Sequence, residues 1–217
     1  MNPLITVVVP TYRQPARLRK CLLALAQQKL TLSQFEVIVV DRANDRATVA
    51  VVGEVSQQTG LVARYVSQPQ KIGLAAAFNR GWRTAGNLFV AFTHDDCLPQ
   101  PLWLTTALPL FHKGARAVVG RVQYKFPTTP LTGTVMANLF CRRALLEQVS
   151  GFDESIDQKR NEQVDWLDKL AQIGVSVTAC SDAVVTHVSL TEYTWTNLLR
   201  VTLYRLFLTY NQLLTKR

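Results

Sequence analysis

The sequence predicts an α/β domain built on a mostly parallel central sheet with helices on both faces. Three observations carry the prediction. Short β-branched apolar runs alternate with segments of helical period. The runs are continuously apolar, as strands covered on both faces must be. Polar residues able to do chemistry fall directly after them. With 48% hydrophobic and 18% charged side chains, 217 residues can bury a sizeable core, which excludes a disordered chain. Ten glycines and nine prolines without a period exclude a collagen-like one.

The first strand is LITVVVP (4–10). A helix follows from about Ala16 to Gln28, because Leu18, Leu22 and Leu25 recur at i, i+4 and i+7 while Arg17, Arg19 and Lys20 fall mostly off that stripe. FEVIVVD (35–41) repeats the strand signature and Thr48–Gln58 the helical one. LVARYVS (61–67), a helix around Leu74–Thr84, the strand LFVAFT (88–93) and a helix after Pro99 and Pro101 complete a parallel first half.

From Ala115 the pattern turns to α+β. It reads as a strand (AVVGRVQY), a Thr/Pro/Gly loop over 127–134, helices near Arg142–Val149 and over Glu162–Ile173, and two short strands at 175–179 and 183–188. No repeat or linker divides residues 1–190, whose halves meet near residue 114, and 191–217 is expected as a C-terminal amphipathic helix, either part of the same compact unit or facing a membrane.

Four dispersed cysteines (Cys21, Cys97, Cys141, Cys180) and three dispersed histidines (His94, His112, His187) lack the paired spacing of a structural zinc site. The N-terminus lacks the basic-then-apolar pattern of a signal peptide, so a reduced, cytoplasmic setting is expected. Lys and Arg number 24 against 15 Asp and Glu, a net charge of +9. That balance fits nucleic acid, an anionic membrane surface or a small anionic substrate.

In parallel sheets ligands bind outside the carboxyl ends of the strands, which here carry Thr11-Tyr12, Asp41 and His94-Asp95-Asp96. Asp95 and Asp96 are adjacent carboxylates that repel. A divalent cation would offset the repulsion and could bridge them to phosphate; alternatively one of them caps the helix near Pro101 and the other is solvated.

Taken in order, VVVPTYR, VIVVD, GLAAAFNRGW, HDD, GFDES and VVTHV resemble a family 2 glycosyltransferase of the GT-A (Rossmann-like) fold over roughly residues 4–190. The resemblance implies sugar transfer, by default inverting, from a nucleoside diphosphate sugar such as a UDP-sugar to a hydroxyl of a glycan or lipid-linked acceptor, with Mg²⁺ or Mn²⁺. It places Pro10, Thr11, Tyr12, Asp41, Lys71, Gly73, Asn79, Arg80 and Asp95 at the nucleotide, and Asp96 and His187 at the metal. Gly133 and Trp166 fall on the acceptor side, with Gly133-Thr134 and Asn138 in a loop that faces the acceptor.

Three positions depart from the family pattern. Phe78 stands where an arginine is common, and His94 replaces the first carboxylate of a D-D-D signature. Gln163 sits where the catalytic base is expected, and a carboxamide cannot take a proton at neutral pH. Either Glu162 or Asp165, three apart on one helix face, then takes over, with Glu162 the working choice of base. The same departures leave open a homologue that binds a nucleotide sugar or a partner enzyme without turning it over.

The segment after Glu192 carries Arg200, Arg205, Lys216 and Arg217 but no acid. It is too polar for a membrane span, and reads as a helix lying on anionic lipid as a peripheral membrane contact or packing on protein. No nucleic-acid-binding motif is present, so nucleic acid is not an expected partner.

Overall fold

The computed structural model describes residues 4–68, 73–124, 135–155 and 162–188, with only the backbone described for residues 162–164. In chain order the elements are β1 (Ile5–Thr11), α1 (Pro15–Ala26), β2 (Phe35–Asp41), α2 (Arg46–Thr59), β3 (Ala63–Ser67), α3 (Leu74–Thr84), β4 (Phe89–Phe92) and β5 (Cys97–Pro99). There follow α4 (Trp103–His112), β6 (Ala117–Tyr124), β7 (Leu139–Arg142), α5 (Arg143–Gln148), α6 (Glu162–Gln172) and β8 (Val177–His187). The strands form one sheet in the order β3-β2-β1-β4-β7-β6-β8-β5.

The first four strands are parallel as expected, with Val7 of β1 opposite Val37 of β2 and Ala91 of β4. Every residue of β1 and β2 is buried, and alternate side chains enter different cores. Val7, Val9, Val37 and Val39 pack with Leu18, Leu22 and Leu25 of α1 on one face. Val8, Ile38 and Val40 pack with Phe78 and Trp82 of α3 on the other. Two helical layers sandwich these strands, which is why their sequence shows no polar alternation. On the second face α3 comes very close, since Gly81 lies directly over the Val8 side chain.

Strand order reverses at β1, which lies between β2 and β4. A crevice between carboxyl ends forms at such a switch point, and here it falls where β1 ends at Thr11 and β4 runs into His94-Asp95-Asp96.

Three features of the sheet differ from the sequence expectation. Leu139–Arg142, expected as loop and helix start, is a strand pairing antiparallel with β4 and β6. Cys97–Pro99, expected as a turn, is a three-residue strand antiparallel to β8. The two strands expected at 175–179 and 183–188 are one strand, β8, parallel to β6. Its register jumps from Gly120 opposite Cys180 to Arg121 opposite Val184, so the intervening residues bulge and break the apolar run.

Asn138 fastens that bulge. Its Nδ2 donates to the Ala183 carbonyl at 2.8 Å and the Arg121 carbonyl at 3.0 Å, while Trp103 Nε1 donates to its Oδ1 at 2.7 Å. Among the described residues no helix is long and apolar enough to cross a membrane. The C-terminal helix expected over 191–217 and the loop at 127–134 lie outside the described residues.

Candidate active site

Two carboxylate-centred pairs sit at the crevice. Thr11, at the end of β1, donates its hydroxyl to Asp95 Oδ2 at 2.6 Å, joining residues 84 positions apart. Next to it, Asp96 Oδ1 lies 3.4 Å from His187 Nε2. This second pair is assembled by β5: Cys97 is opposite His187 in the ladder, and the Val188 amide donates to the Asp96 carbonyl at 3.0 Å. Asp96 and His187 are only 8% and 3% exposed.

The donor set fits a divalent ion. His94, Asp96, Cys97 and His187 each offer one ligand atom, and these atoms lie within 4.8 Å of one another. His94 Nε2 and His187 Nδ1 are buried without a hydrogen-bond partner, so ring nitrogens around the cluster remain unspent. Polar groups left this way are uncommon in folded proteins and call for a specific reason.

Tyr12 is 49% exposed, and the Arg13 and Arg42 guanidinium groups stand 5.6 and 5.5 Å from its ring centroid. An exposed aromatic face flanked by cations suits a base or ribose carrying phosphate. Asp41 is fully buried. Its Oδ1 accepts from the Ala43 amide at 2.8 Å, and its Oδ2 from the Asp45 amide at 2.6 Å and the Tyr65 hydroxyl at 3.0 Å. It thus fixes the turn that presents Arg42 beside Tyr12. Pro10 is buried within β1.

Burial dominates two titrations at the crevice and moves them in opposite senses. It raises the Asp95 carboxyl from 3.8 to about 6, with the Thr11 hydrogen bond partly opposing. It lowers the His94 imidazole from 6.5 to about 4, with the Asp96 charge partly opposing. Between those limits folded Asp95 keeps a proton that the unfolded residue has lost, so stability falls as pH rises. Over the same window unfolded histidine holds a proton that folded His94 lacks, so stability rises. The two slopes largely cancel in the metal-free protein. Asp95→Asn is expected to remove one of them, so that its melting temperature in chelator climbs from pH ~4 to ~6.5 more steeply than that of the parent. Melts at stepped pH check this, and parallel profiles would refute the assignment.

The remaining sequence-derived site residues are not all at the crevice. Asn79 is fully buried: its Nδ2 donates to the Phe152 carbonyl at 2.7 Å and to Glu154 Oε1 at 2.9 Å, while its Oδ1 accepts from Trp82 Nε1 and the Phe152 amide. It clasps α3 to the turn at Gly151, where a positive φ of 69° suits glycine. Arg80, one position on, is exposed, and Gly73 precedes the first turn of α3.

On α6, Asp165 pairs with Lys169 Nζ at 3.2 Å. Trp166 is fully buried, its ring 5.9 Å from Phe152. A file of rings continues from Phe152 to Phe78 at 5.7 Å and from Phe78 to His94 at 5.9 Å, so α6 is coupled to the metal-competent cluster through packing. Lys71, Gly133 and the Glu162 side chain lie outside the described residues. Cys97, Tyr65 and Arg42 join the site without having been expected there. No motif marks them, and only the ladder and the turn bring them to it.

A mostly parallel sheet with its acidic crevice at the switch point defines an α/β domain of the GT-A kind. The profile of glycosyl transferase family 2 matches residues 6–168, three quarters of the chain, and the chain belongs to that family. It is 25% identical over 206 residues to the glycosyltransferase AglE of Haloferax volcanii, covering 85% of this chain and 67% of that protein. It is 36% identical over 123 residues to the validoxylamine A glucosyltransferase of Streptomyces hygroscopicus subsp. jinggangensis, covering 54% of this chain and 28% of the relative.

Two solved structures share the fold. A mannosyltransferase from Pyrobaculum calidifontis in complex with GDP-Man and Mn²⁺ superposes with a TM-score of 0.73 at 23% identity, over 89% of this chain and 59% of its own. S. aureus TarS 1–349 in complex with UDP-GlcNAc gives 0.74 at 18%, over 88% and 60%.

Proposed function

We propose that this protein transfers a sugar, with inversion, from a nucleoside diphosphate sugar to a hydroxyl of a glycan or lipid-linked acceptor. The observation that carries the reading is the joining of Thr11–Asp95 to Asp96–His187 at the carboxyl ends of β1 and β4. Relatives crystallised with GDP-Man and UDP-GlcNAc support it by analogy of fold.

Tyr12 packs the base, and Arg13 and Arg42 meet the anionic side of the donor. Asp95, oriented by Thr11, accepts from a ribose or sugar hydroxyl. Asp96 and His187 would hold a divalent ion, which would supply charge stabilisation for the leaving diphosphate. The anomeric carbon–oxygen bond to the diphosphate breaks as the acceptor oxygen bonds from the opposite face. The acceptor proton passes to a carboxylate on α6. We assign that role to Glu162, since Lys169 engages Asp165 and Asp168 lies on the exposed side of the helix.

A thermal-shift screen of nucleotides and nucleotide sugars with Mn²⁺ tests the reading. The matching donor is expected to raise the melting temperature in proportion to the logarithm of its concentration, and to release nucleoside diphosphate when acceptor is supplied. Stabilisation without release across a broad acceptor panel would identify a binding homologue, the outcome that Gln163 leaves open. No stabilisation by any donor would sink the proposal.

A further inference from the structure

The departure at His94 changes what the metal site is made of. Hard ions such as Mg²⁺ favour all-oxygen shells and give up water reluctantly. Imidazole suits later divalent ions, whose affinity for nitrogen ligands rises along the first transition row. The described cluster contains a single carboxylate, that of Asp96, beside two imidazoles and a thiol.

One nitrogen of each ring has no competing use. His94 Nε2 and His187 Nδ1 are buried without partners, and His187 Nε2 already points at Asp96 Oδ1 from 3.4 Å. Cys97 Sγ contacts the same carboxylate oxygen at 3.7 Å, the distance of an S–H donor holding Asp96 in place. The imidazole of His94 is itself held by stacking on Phe78, with centroids 5.9 Å and planes 24° apart. Ligands of one such ion, each ~2.1 Å from it, sit ~3–4 Å from one another. The observed 4.8 Å envelope therefore needs only a modest contraction.

We propose that His94 is a third protein ligand beside Asp96 and His187, and that the site takes the borderline ions Co²⁺ through Zn²⁺, and less strongly Mn²⁺, in preference to Mg²⁺. Cys97 orients Asp96 by its S–H and stays outside the ligand shell. The ion's open side faces the donor diphosphate, and in that respect alone the inference rests on the nucleotide-sugar reading.

Co²⁺ titration of the full chain without nucleotide, followed by visible d–d absorption, tests the inference. Binding of one ion is expected, with Mg²⁺ in about 100-fold excess leaving the spectrum in place. His94→Ala is expected to weaken Co²⁺ at least about 10-fold, while His112→Ala, on the exposed end of α4, leaves it unchanged. Because His94→Ala removes a packed ring, NMR of the parent gives an independent readout. Paramagnetic Co²⁺ at a stoichiometric dose shifts or broadens the His94 and His187 imidazole signals and spares His112.

Displacement of Co²⁺ by equimolar Mg²⁺, unchanged affinity in His94→Ala, an unaffected His94 signal, or loss of Co²⁺ in Cys97→Ser but not in His94→Ala would each overturn the inference. Since no nucleotide is present, Co²⁺ binding through His94 with no response to any donor sinks the transferase reading alone. Donor turnover with Mg²⁺ preferred sinks this one alone.

Discussion

Asp96→Ala is expected to lower sugar transfer by on the order of 10²-fold or more, the scale set by losing one preorganised group that stabilises developing charge. The same exchange should abolish the rise in melting temperature that Mn²⁺ gives the parent. In chelator the variant melts within a few degrees of the parent, because Asp96 spends its carboxylate on His187 and the Cys97 thiol and bridges no backbone. Initial rates and paired melts with and without Mn²⁺ check this. Full activity in the variant, or an undiminished Mn²⁺ shift, would remove Asp96 from the site. The paired design matters because inactivity alone would not separate a lost ligand from a lost fold.

Replacing Gly81 by valine should produce a large loss of stability. A Cβ at this position would penetrate the Val8 Cγ1 methyl and stand 3.0 and 3.2 Å from the Val8 Cγ2 and Cβ atoms. Val8 lies in a central strand with neighbours on both sides, so it cannot retreat, and α3 must lift off the sheet instead. Overpacking of this kind costs about 1–3 kcal/mol and occasionally more. For a domain of this size that lowers the melting temperature by ~2–12 °C.

Gly53, on the exposed side of α2, has no atom within 4 Å of the place its Cβ would take, so Gly53→Ala is expected to gain ~0.5–1 kcal/mol from helix propensity alone. Denaturant melts of Gly81→Val, Gly81→Ala and Gly53→Ala decide between packing and propensity. If both alanine variants are stabilised, the close approach of α3 to β1 is refuted.

Much of the fold was legible because burial on two faces leaves a plain trace. ITVVVPT and FEVIVVD can only be strands inside a layered α/β structure, and Leu18, Leu22 and Leu25 mark the helix that covers them. What escaped was short or irregular. Three-residue β5 has no periodicity to read, and the bulge at 181–183 makes one strand look like two.

The site was partly legible for a related reason. A run such as His94-Asp95-Asp96 advertises its chemistry, but the partners arrive through topology: Thr11 across 84 residues, and His187 through the β5–β8 ladder. Motif matching also cannot tell which way a side chain faces. Asn79 and Trp166 fall inside motifs read as site segments, yet the first spends its amide on the Gly151–Glu154 turn and the second lies in the core.

The contact between Phe78 and His94 ties two departures from the pattern that the family resemblance implies to each other. These are two of the three positions at which the chain departs from its family pattern, and the two rings rest on each other. Restoring aspartate at 94 alone would set a carboxylate against a phenyl ring. Restoring arginine at 78 alone would press a guanidinium onto an imidazole in a closed core. The two side chains are therefore expected to couple, so that a double-mutant cycle over Phe78 and His94 gives a non-additive change in stability.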